Sequence, residues 1–424
     1  VSILTVINPV SAADIHVPGD YSTISDAITN ANPNDTIYVH AGTYNENLTI
    51  GKNLSLIGDG AAVTTIDGGG SYVITVNGAV VNISGFTITN GGEGIYYNGA
   101  SGTIENNTVT ENDDIGIECS YNSNPTITNN AITRNETYGI ECYTNSSPTI
   151  TNNTITQNEG SGIYNSNLSN PTITNNTITG NDNRGIYNTS SSPIITNNII
   201  AGNDSDGVIN QYAGSSPIIT NNTITGNLDD GVRNIDSSSP TITNNIVASN
   251  VQDGIEDEQG SASSCTYNDV WNNGTDYNGL LPGPGSISLD PRLDGTFHLL
   301  GSSPCIDAGT DAGVYTDFDG DSRPQGAGID IGADEYVSLG INPIAAFLPL
   351  KNYRLGEVNT CLGCIEENLS DDVPQDVQAL LDEMQMHIDN ANTTGNTIYA
   401  NNELLKALRC CEDIQEKLGI TCPL

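Results

Sequence analysis

The sequence predicts an all-β solenoid, a parallel β-helix followed by a small helical module, and three observations carry that prediction. First, between Pro125 and Asn250 one phrase recurs six times. It reads Ser-Ser-Pro-Thr-Ile-Thr-Asn-Asn-Thr-Ile-Thr with small variations, then Asn, a short polar turn and Gly-Ile. Its prolines, Pro125, Pro148, Pro171, Pro193, Pro217 and Pro240, fall 22 to 24 residues apart, which is a solenoid period. Second, apolar and polar residues alternate inside each phrase, as in Thr126-Ile127-Thr128, so the segments are strands. Third, only Glu136-Thr137-Tyr138 separates Asn135 from Gly139, which leaves no room for the helical segment of a leucine-rich repeat.

Taken in chain order, the start, Val1 to Ala12, lacks an initiator Met and has the apolar and small-residue character of the end of a secretory signal, with Ala13 as the first mature residue. From Tyr21 to Asn32 the period changes: Ile24, Ala27, Ile28 and Ala31 fall three and four apart, one apolar face of a helix. Residues 13–80 are expected to form an N-terminal cap and the first coils, with the cap helix covering an otherwise unpaired sheet edge.

Residues 81–275 are the coils. Ile127, Ile150, Ile173, Ile195, Ile219 and Ile242 should stack as one interior ladder, and Ile132, Ile155, Ile178, Ile200, Ile224 and Val247 as another, since isoleucine suits a pleated, buried surface. The Asn pairs that follow the first ladder (Asn129 and Asn130, Asn152 and Asn153, and so on) belong at the bend between strands. Asn tolerates left-handed backbone there, and stacked amides can bond along the ladder. About ten coils between Ile50 and Trp271, at ~4.8 Å each, make a rod on the order of 50 Å long.

Formal charge is −40, from 51 acidic and 11 basic residues, which excludes nucleic acid as a partner and suits a cation-rich exterior. Only Lys52, Arg134, Arg184 and Arg233 are basic between Ala13 and Gly260. No later stretch is long and apolar enough for a transmembrane segment. Residues 339–424 have helical spacing at Val373 to Asn390 and Glu403 to Gly419, and crowd Cys361, Cys364, Cys410, Cys411 and Cys422. Disulfides stapling a small helical module are the expectation, with a zinc site through Cys361 and Cys364 as the alternative. Nine cysteines in all leave one unpaired or intermolecular. Sequons at Asn47, Asn53, Asn135 and Asn368 would permit glycosylation.

On the Asn-Asn and Gly-Ile coils and the opening helix with Asp35-Thr-Ile-Tyr-Val-His-Ala-Gly-Thr-Tyr, the chain resembles the right-handed parallel β-helix superfamily, the pectate-lyase-like or carbohydrate-binding-and-sugar-hydrolysis group, over roughly residues 14–336. Residues 276–338 resemble the terminal module of bacterial and archaeal surface β-helix proteins. The matching stretches are Asp290-Pro291, Phe297-His298-Leu299, Ser303-Pro304-Cys305-Ile306-Asp307-Ala308-Gly309, Asp317 to Pro324 and Asp330 to Glu335. That likeness implies an exported surface protein. Lyases of the superfamily pair carboxylate-bound calcium with an Arg or Lys, and its polygalacturonase-like hydrolases carry Gly-His-Gly and Arg-Ile-Lys; neither hydrolase motif occurs here.

Aligning coils on the Gly-Ile step places Tyr96, Glu118, Glu141, Tyr164, Tyr187, Ile209, Arg233 and Glu256 at equivalent outward positions. Tyrosines offer flat faces with a polar tip, so Tyr96, Glu118, Glu141, Tyr164 and Tyr187 are the candidate ligand-binding stripe for a sugar polymer. A second column, just before each Gly, holds Arg184, Asp206, Asp230 and Asp253. Carboxylates spaced by one coil repel unless hydrated or bridged by a hard cation, which makes Asp206, Asp230 and Asp253 candidate Ca2+ ligands. Asp317, Asp319 and Asp321, in an Asp-x-Asp-Gly-Asp order without a distal Glu, are another candidate set. Solvated turn aspartates and a surface ion pair at Arg233 and Glu256 are the plainer readings of both columns.

The function expected from these residues is an exported cell-surface structural or adhesive protein binding polysaccharide or cell-surface glycan without catalysis. One alternative is a polysaccharide lyase or glycoside hydrolase using Glu118, Glu141 or the Asp206 column; another is a filament or surface-layer subunit that self-assembles through the C-terminal module.

Overall fold

A computed structural model of the chain describes residues 12–337 continuously, together with Val377, Leu380, Leu381, Met386 and Lys417, which are helical. Residues 1–337 and 338–424 are two compact units. The apolar start at 1–11 and, those five positions apart, the cysteine-rich module at 339–424 lie outside the described residues. Among the described residues no helix is long and apolar enough to cross a membrane.

The first unit is a parallel β-solenoid. Each coil gives one short strand to each of three parallel sheets of twelve, eleven and eleven strands; in one coil these are Thr126–Thr128, Ala131–Thr133 and Ile140–Cys142. The expectation of about ten coils was short. Ten strands of the first sheet do run from Leu54–Gly58 to Ser264–Thr266, but Asp14–Val17 and Thr36–Val39 precede them in the same sheet. With these two the solenoid has about twelve turns.

Alternation sets the core. Ile127, Ile150, Ile173, Ile195, Ile219 and Ile242 are completely buried and pair in consecutive register. So do Ile132, Ile155, Ile178, Ile200, Ile224 and Val247 in the second sheet. Each such side chain contributes about 1.5–3 kcal/mol by leaving water.

Corners between sheets use asparagine in two ways. Asn129, Asn152 and Asn175 adopt left-handed backbone, with φ of 55°, 56° and 57°. Their successors turn inward and bond coil to coil: the Asn153 amide donates to Asn176 Oδ1 at 3.0 Å and to the Ile127 carbonyl at 2.9 Å. A second buried stack, through Asn135, Asn158, Asn181 and Asn203, repeats the device at the next corner with amide-to-amide bonds of 2.9 Å. A third, through Asn165, Asn188 and Asn210, runs inside the third sheet. Asn135, a sequon residue, is fully buried in its stack, so in the folded chain it is closed to glycosylation.

The Gly of each Gly-Ile step is a matter of close approach. A Cβ on Gly162 would sit 2.6 Å from Ile178 Cγ2 and 2.9 Å from the Gly185 carbonyl of the next coil. No side chain fits between the turns there.

The one lysine of the coils, Lys52, sits at a helix end. Helix α1 (Ile24–Asn30) buries Ile24, Ala27 and Ile28, with Thr23 as its N-cap. The Glu46 carboxylate accepts from the Ile24 and Ser25 amides at 2.9 and 2.8 Å, while the Lys52 ammonium donates to the Ala31 and Thr29 carbonyls at 2.8 and 3.1 Å. Both helix ends thus meet charge of the sign their dipole favours.

Residues from 276 onward first close the last coil, where the Val270 amide donates to the Ile287 carbonyl at 3.1 Å. The chain then turns back along the outer face of the second sheet. Leu299, Cys305 and Ile331 pack with Ile246 and Ala248, and Ala333 packs with Ile199 and Ala201. Those outward positions carry Thr177 and Thr179 in the preceding coil and Ile and Ala in two of the coils beneath the module, while the coil between them keeps Thr223, fully buried, whose hydroxyl accepts from the Ala333 amide at 3.2 Å. Asn244 clamps it, donating to the Thr310 carbonyl at 2.7 Å and accepting from the Thr310 amide at 3.0 Å. Within the module the fully buried Arg323 guanidinium meets Glu335 at 3.0 Å. Cys119, Cys142, Cys265 and Cys305 are buried free thiols, so the described residues contain no disulfide; the five tail cysteines are outside them.

Candidate functional site

The outward face of the third sheet carries both columns read from the sequence. Tyr96 pairs in register with Glu118, Glu118 with Glu141, Glu141 with Tyr164 and Tyr164 with Tyr187, and the line continues through Ile209, Arg233 and Glu256. Beside it runs the column before each Gly. Successive glycine amides donate to its carbonyls, Gly162 to Arg184, Gly185 to Asp206, Gly207 to Asp230 and Gly231 to Asp253.

The tyrosines do not stand apart with both faces open. Tyr164 and Tyr187 stack at 5.0 Å between ring centroids, Tyr138 lies 4.8 Å from Tyr164, and the Arg184 guanidinium sits 4.6 Å from the Tyr187 centroid. Tyr96 meets Tyr72 edge-on at 5.6 Å. Tyr187 donates its hydroxyl to Gln211 Oε1 at 2.6 Å. What the stripe presents outward is therefore ring edges and hydroxyls. Tyr138 and Tyr72 pack against it from the neighbouring column, at the offset before each Gly step.

Between the two aromatic groups lies a carboxyl cluster. Ser120 donates a short hydrogen bond to Glu118. Burial, then the charges of Glu118 and Asp114, push the Glu141 carboxyl up to about 7. Burial and the neighbouring Glu118 also raise Glu93 far above the usual carboxylate range. Glu93 is 5% exposed and was not singled out from the sequence. It stands before Gly94, in the same column as Arg184 and Asp206, and that offset was the available signal.

Further along the rod the second column is acidic and enclosed. Asp206 is 1% exposed. Its Oδ2 lies 3.3 Å from Arg184 Nε, while its Oδ1 is buried without a partner. Burial, then the charges of Asp229 and Asp230, raise its carboxyl to about 6. Asp230 accepts from the Asp253 amide at 2.7 Å, and Arg233 Nε lies 3.2 Å from Glu256 and 3.7 Å from Asp230. Ligating oxygens of Asp206, Asp229 and Asp230 come within 4.8 Å of one another, as do those of Asp230, Asp253 and Glu256. An enclosed aspartate with an orphaned oxygen, grouped with further carboxylates, fits a hard cation. The structure thus brings Asp206, Asp230 and Asp253 into two overlapping groups and adds Asp229 and Glu256.

Asp317, Asp319 and Asp321 are not gathered in this way. Asp317 is fully buried, and its oxygens accept from the amides of Asp319 at 3.0 Å, Asp321 at 2.7 Å and Glu335 at 3.0 Å. These bonds hold the turn in shape. Asp319 turns to His298, whose Nε2 is 2.7 Å away.

The chain belongs to the right-handed β-helix family: the model for the right handed beta helix region matches residues 56–194 and 188–288. It is also similar to a cell surface glycoprotein of Methanothermus fervidus, 35% identical over 92 residues, or 21% of this chain and 16% of that protein's length. Among solved structures it is similar to pectate lyase Pel9A, with a TM-score of 0.54 and 17% identity over 76% of this chain and 96% of that one. An alginate lyase from Paenibacillus sp. str. FPU-7 matches with a TM-score of 0.48 and 18% identity, over 59% of this chain and 98% of that one. Structural likeness at such identities speaks to the fold alone.

Proposed function

We propose that this protein is a rigid cell-surface rod that binds polysaccharide along the outer face of its third sheet, without catalysis. The observation that carries this reading is the unbroken outward line from Tyr96 to Tyr187, in register over five coils. Aligned hydroxyls, carboxyls and ring edges at one-coil intervals suit a polymer that presents hydroxyls and apolar ring edges at intervals of its own. The surface placement is supported by the name of the M. fervidus relative, and Ca2+ is the cation that the Asp206, Asp229 and Asp230 group would hold.

The test is retention of the purified chain on a panel of neutral and acidic polysaccharides, with calcium and with chelator, while assaying for new reducing or unsaturated ends. Binding is expected to fall at least tenfold when Tyr96, Tyr164 and Tyr187 are all replaced by Ala; unchanged binding rejects the stripe. Product formation that disappears with Glu118→Gln or Asp230→Asn would replace this reading with a lyase or hydrolase. Self-assembly through residues 339–424 remains a separate proposal, tested by light scattering of the full chain against one ending at Tyr336.

A further inference from the structure

We propose that His298, Asp319 and Asp334 form a binding site for a divalent transition-metal ion in the module that lies along the second sheet. One imidazole and two carboxylates place their donor atoms within 4.8 Å of one another, a span that a single ion can bridge. They come from three loops, each held independently. His298 closes a tight turn in which the Asp294 amide donates to the His298 carbonyl at 2.8 Å. Asp319 sits on the turn organised by Asp317. Asp334 spends one oxygen on the Leu299 amide at 2.7 Å, which leaves the other for an ion, and Arg323 ties down the Gly332 and Ala333 carbonyls just before it at 2.8 Å each.

The orientation of the imidazole is the second observation. Nδ1 lies 2.8 Å from Thr296 Oγ1, which lies 2.8 Å from the Asp294 carboxylate. That chain provides an acceptor for an Nδ1 proton and a further acceptor for the threonine hydroxyl. A metal-ligating histidine is normally held by this kind of outer contact at its other nitrogen, and here it leaves Nε2 pointing at Asp319. A nitrogen with two carboxylate oxygens favours zinc, manganese, cobalt or nickel over calcium, which takes oxygen alone. His298 and Asp319 side chains are 38% and 45% exposed, so the ion has a path in and room for water. Bound there, it would tie together loops whose ligands are up to 36 residues apart (298 to 334), stabilising the folded module by mass action.

Cobalt(II) titration of the full chain tests this, read by visible d–d absorption and by thermal unfolding. With calcium in excess to fill the Asp206 group, the expected result is one equivalent of cobalt bound without thiolate charge-transfer bands, and a raised unfolding midpoint. That equivalent should be lost in His298→Ala and in Asp334→Asn. Thr296→Val, which removes only the outer contact, should weaken binding about 10–100-fold. Manganese, which disfavours thiolates, serves as a second probe that the tail cysteines do not compete for. Failure of the wild-type chain to bind either ion, or binding carried by thiolates or by other carboxylates and unaffected by these substitutions, would overturn the proposal and leave an ion pair between His298 and Asp319.

Discussion

Replacing Asn176 with Ala tests whether the buried amide stacks hold the coils together. The Asn176 amide donates to the Ile150 carbonyl at 2.9 Å, the Thr174 carbonyl at 3.0 Å and Asn198 Oδ1 at 3.0 Å. Its oxygen accepts from the Asn153 backbone amide at 2.9 Å and the Asn153 side chain at 3.0 Å. After truncation the Asn153 side chain keeps its bonds to the Ile127 and Thr151 carbonyls, and Asn198 Oδ1 keeps the Asn176 backbone amide. The Asn153 backbone N–H loses its acceptor in a site closed to water. The five lost bonds, one of which leaves an orphaned buried donor, contribute about 0.5–1.5 kcal/mol each, so a total of about 3–7 kcal/mol is expected. The neighbour is the control. The Asn175 Oδ1 has no partner, and the residue's role is its φ of 57°; Asn175→Ala should cost about 1–2 kcal/mol and Asn175→Gly almost nothing. Urea unfolding followed by circular dichroism gives the three midpoints. Amide exchange on the flanking coils checks whether the loss is local, as a quasi-one-dimensional fold allows. If Asn176→Ala costs less than about 1 kcal/mol, or no more than Asn175→Ala, the stacks are not what binds coil to coil.

Three further outcomes are expected. Arg323→Met leaves the buried Glu335 carboxylate without its cation, at a cost of about 3–5 kcal/mol; limited proteolysis should then cut within residues 290–336 while the coils resist. Gly162→Ala forces a methyl against Ile178 and the Gly185 carbonyl and should cost about 1–3 kcal/mol, whereas Gly51→Ala, with open space around it, should stay within about 0.5 kcal/mol of neutral. Glu141, raised from 4.5 to about 7, holds a proton in the folded chain that the unfolded chain has released between those values. Folded stability should therefore fall as pH rises from about 4.5 to about 7. Glu141→Gln should make that slope shallower in a series of urea midpoints, while an unchanged slope would show that Glu141 ionises normally.

Much of this molecule was legible in one dimension because a solenoid copies local pattern into space. Once Ile127 and Ile150 share a phase, parallel pairing repeats it. The two isoleucine ladders, the left-handed Asn129 and its equivalents, the apolar face of Ile24, Ala27 and Ile28, and the alignment of Tyr96 with Glu118, Glu141, Tyr164 and Tyr187 all follow from spacing. What spacing could not reveal depends on which side chains meet after the chain has closed. The tyrosine rings turn onto one another and onto Arg184. Asp206 is enclosed while Asp253 is only partly so, and Glu93 and Asp229 join carboxyl groups that the sequence had assembled without them. The length of the solenoid, too, was hidden at its start, where the repeat is too degenerate to read.

The C-terminal module is the clearest case. Its motifs marked a distinct unit, and its Asp-x-Asp-Gly-Asp order suggested three converging aspartates. In the fold Asp317 accepts from three backbone amides, and Asp319 faces a histidine 21 residues away. The module's seat on Ile199, Ala201, Ile246 and Ala248 rests on contacts such as Asn197 to Thr316, 119 residues apart. Alternation and turn propensity are properties of neighbours in sequence, and they settled the coil, its core and its columns. Burial, ring orientation and the meeting of distant loops are properties of neighbours in space, and these only the folded chain decided.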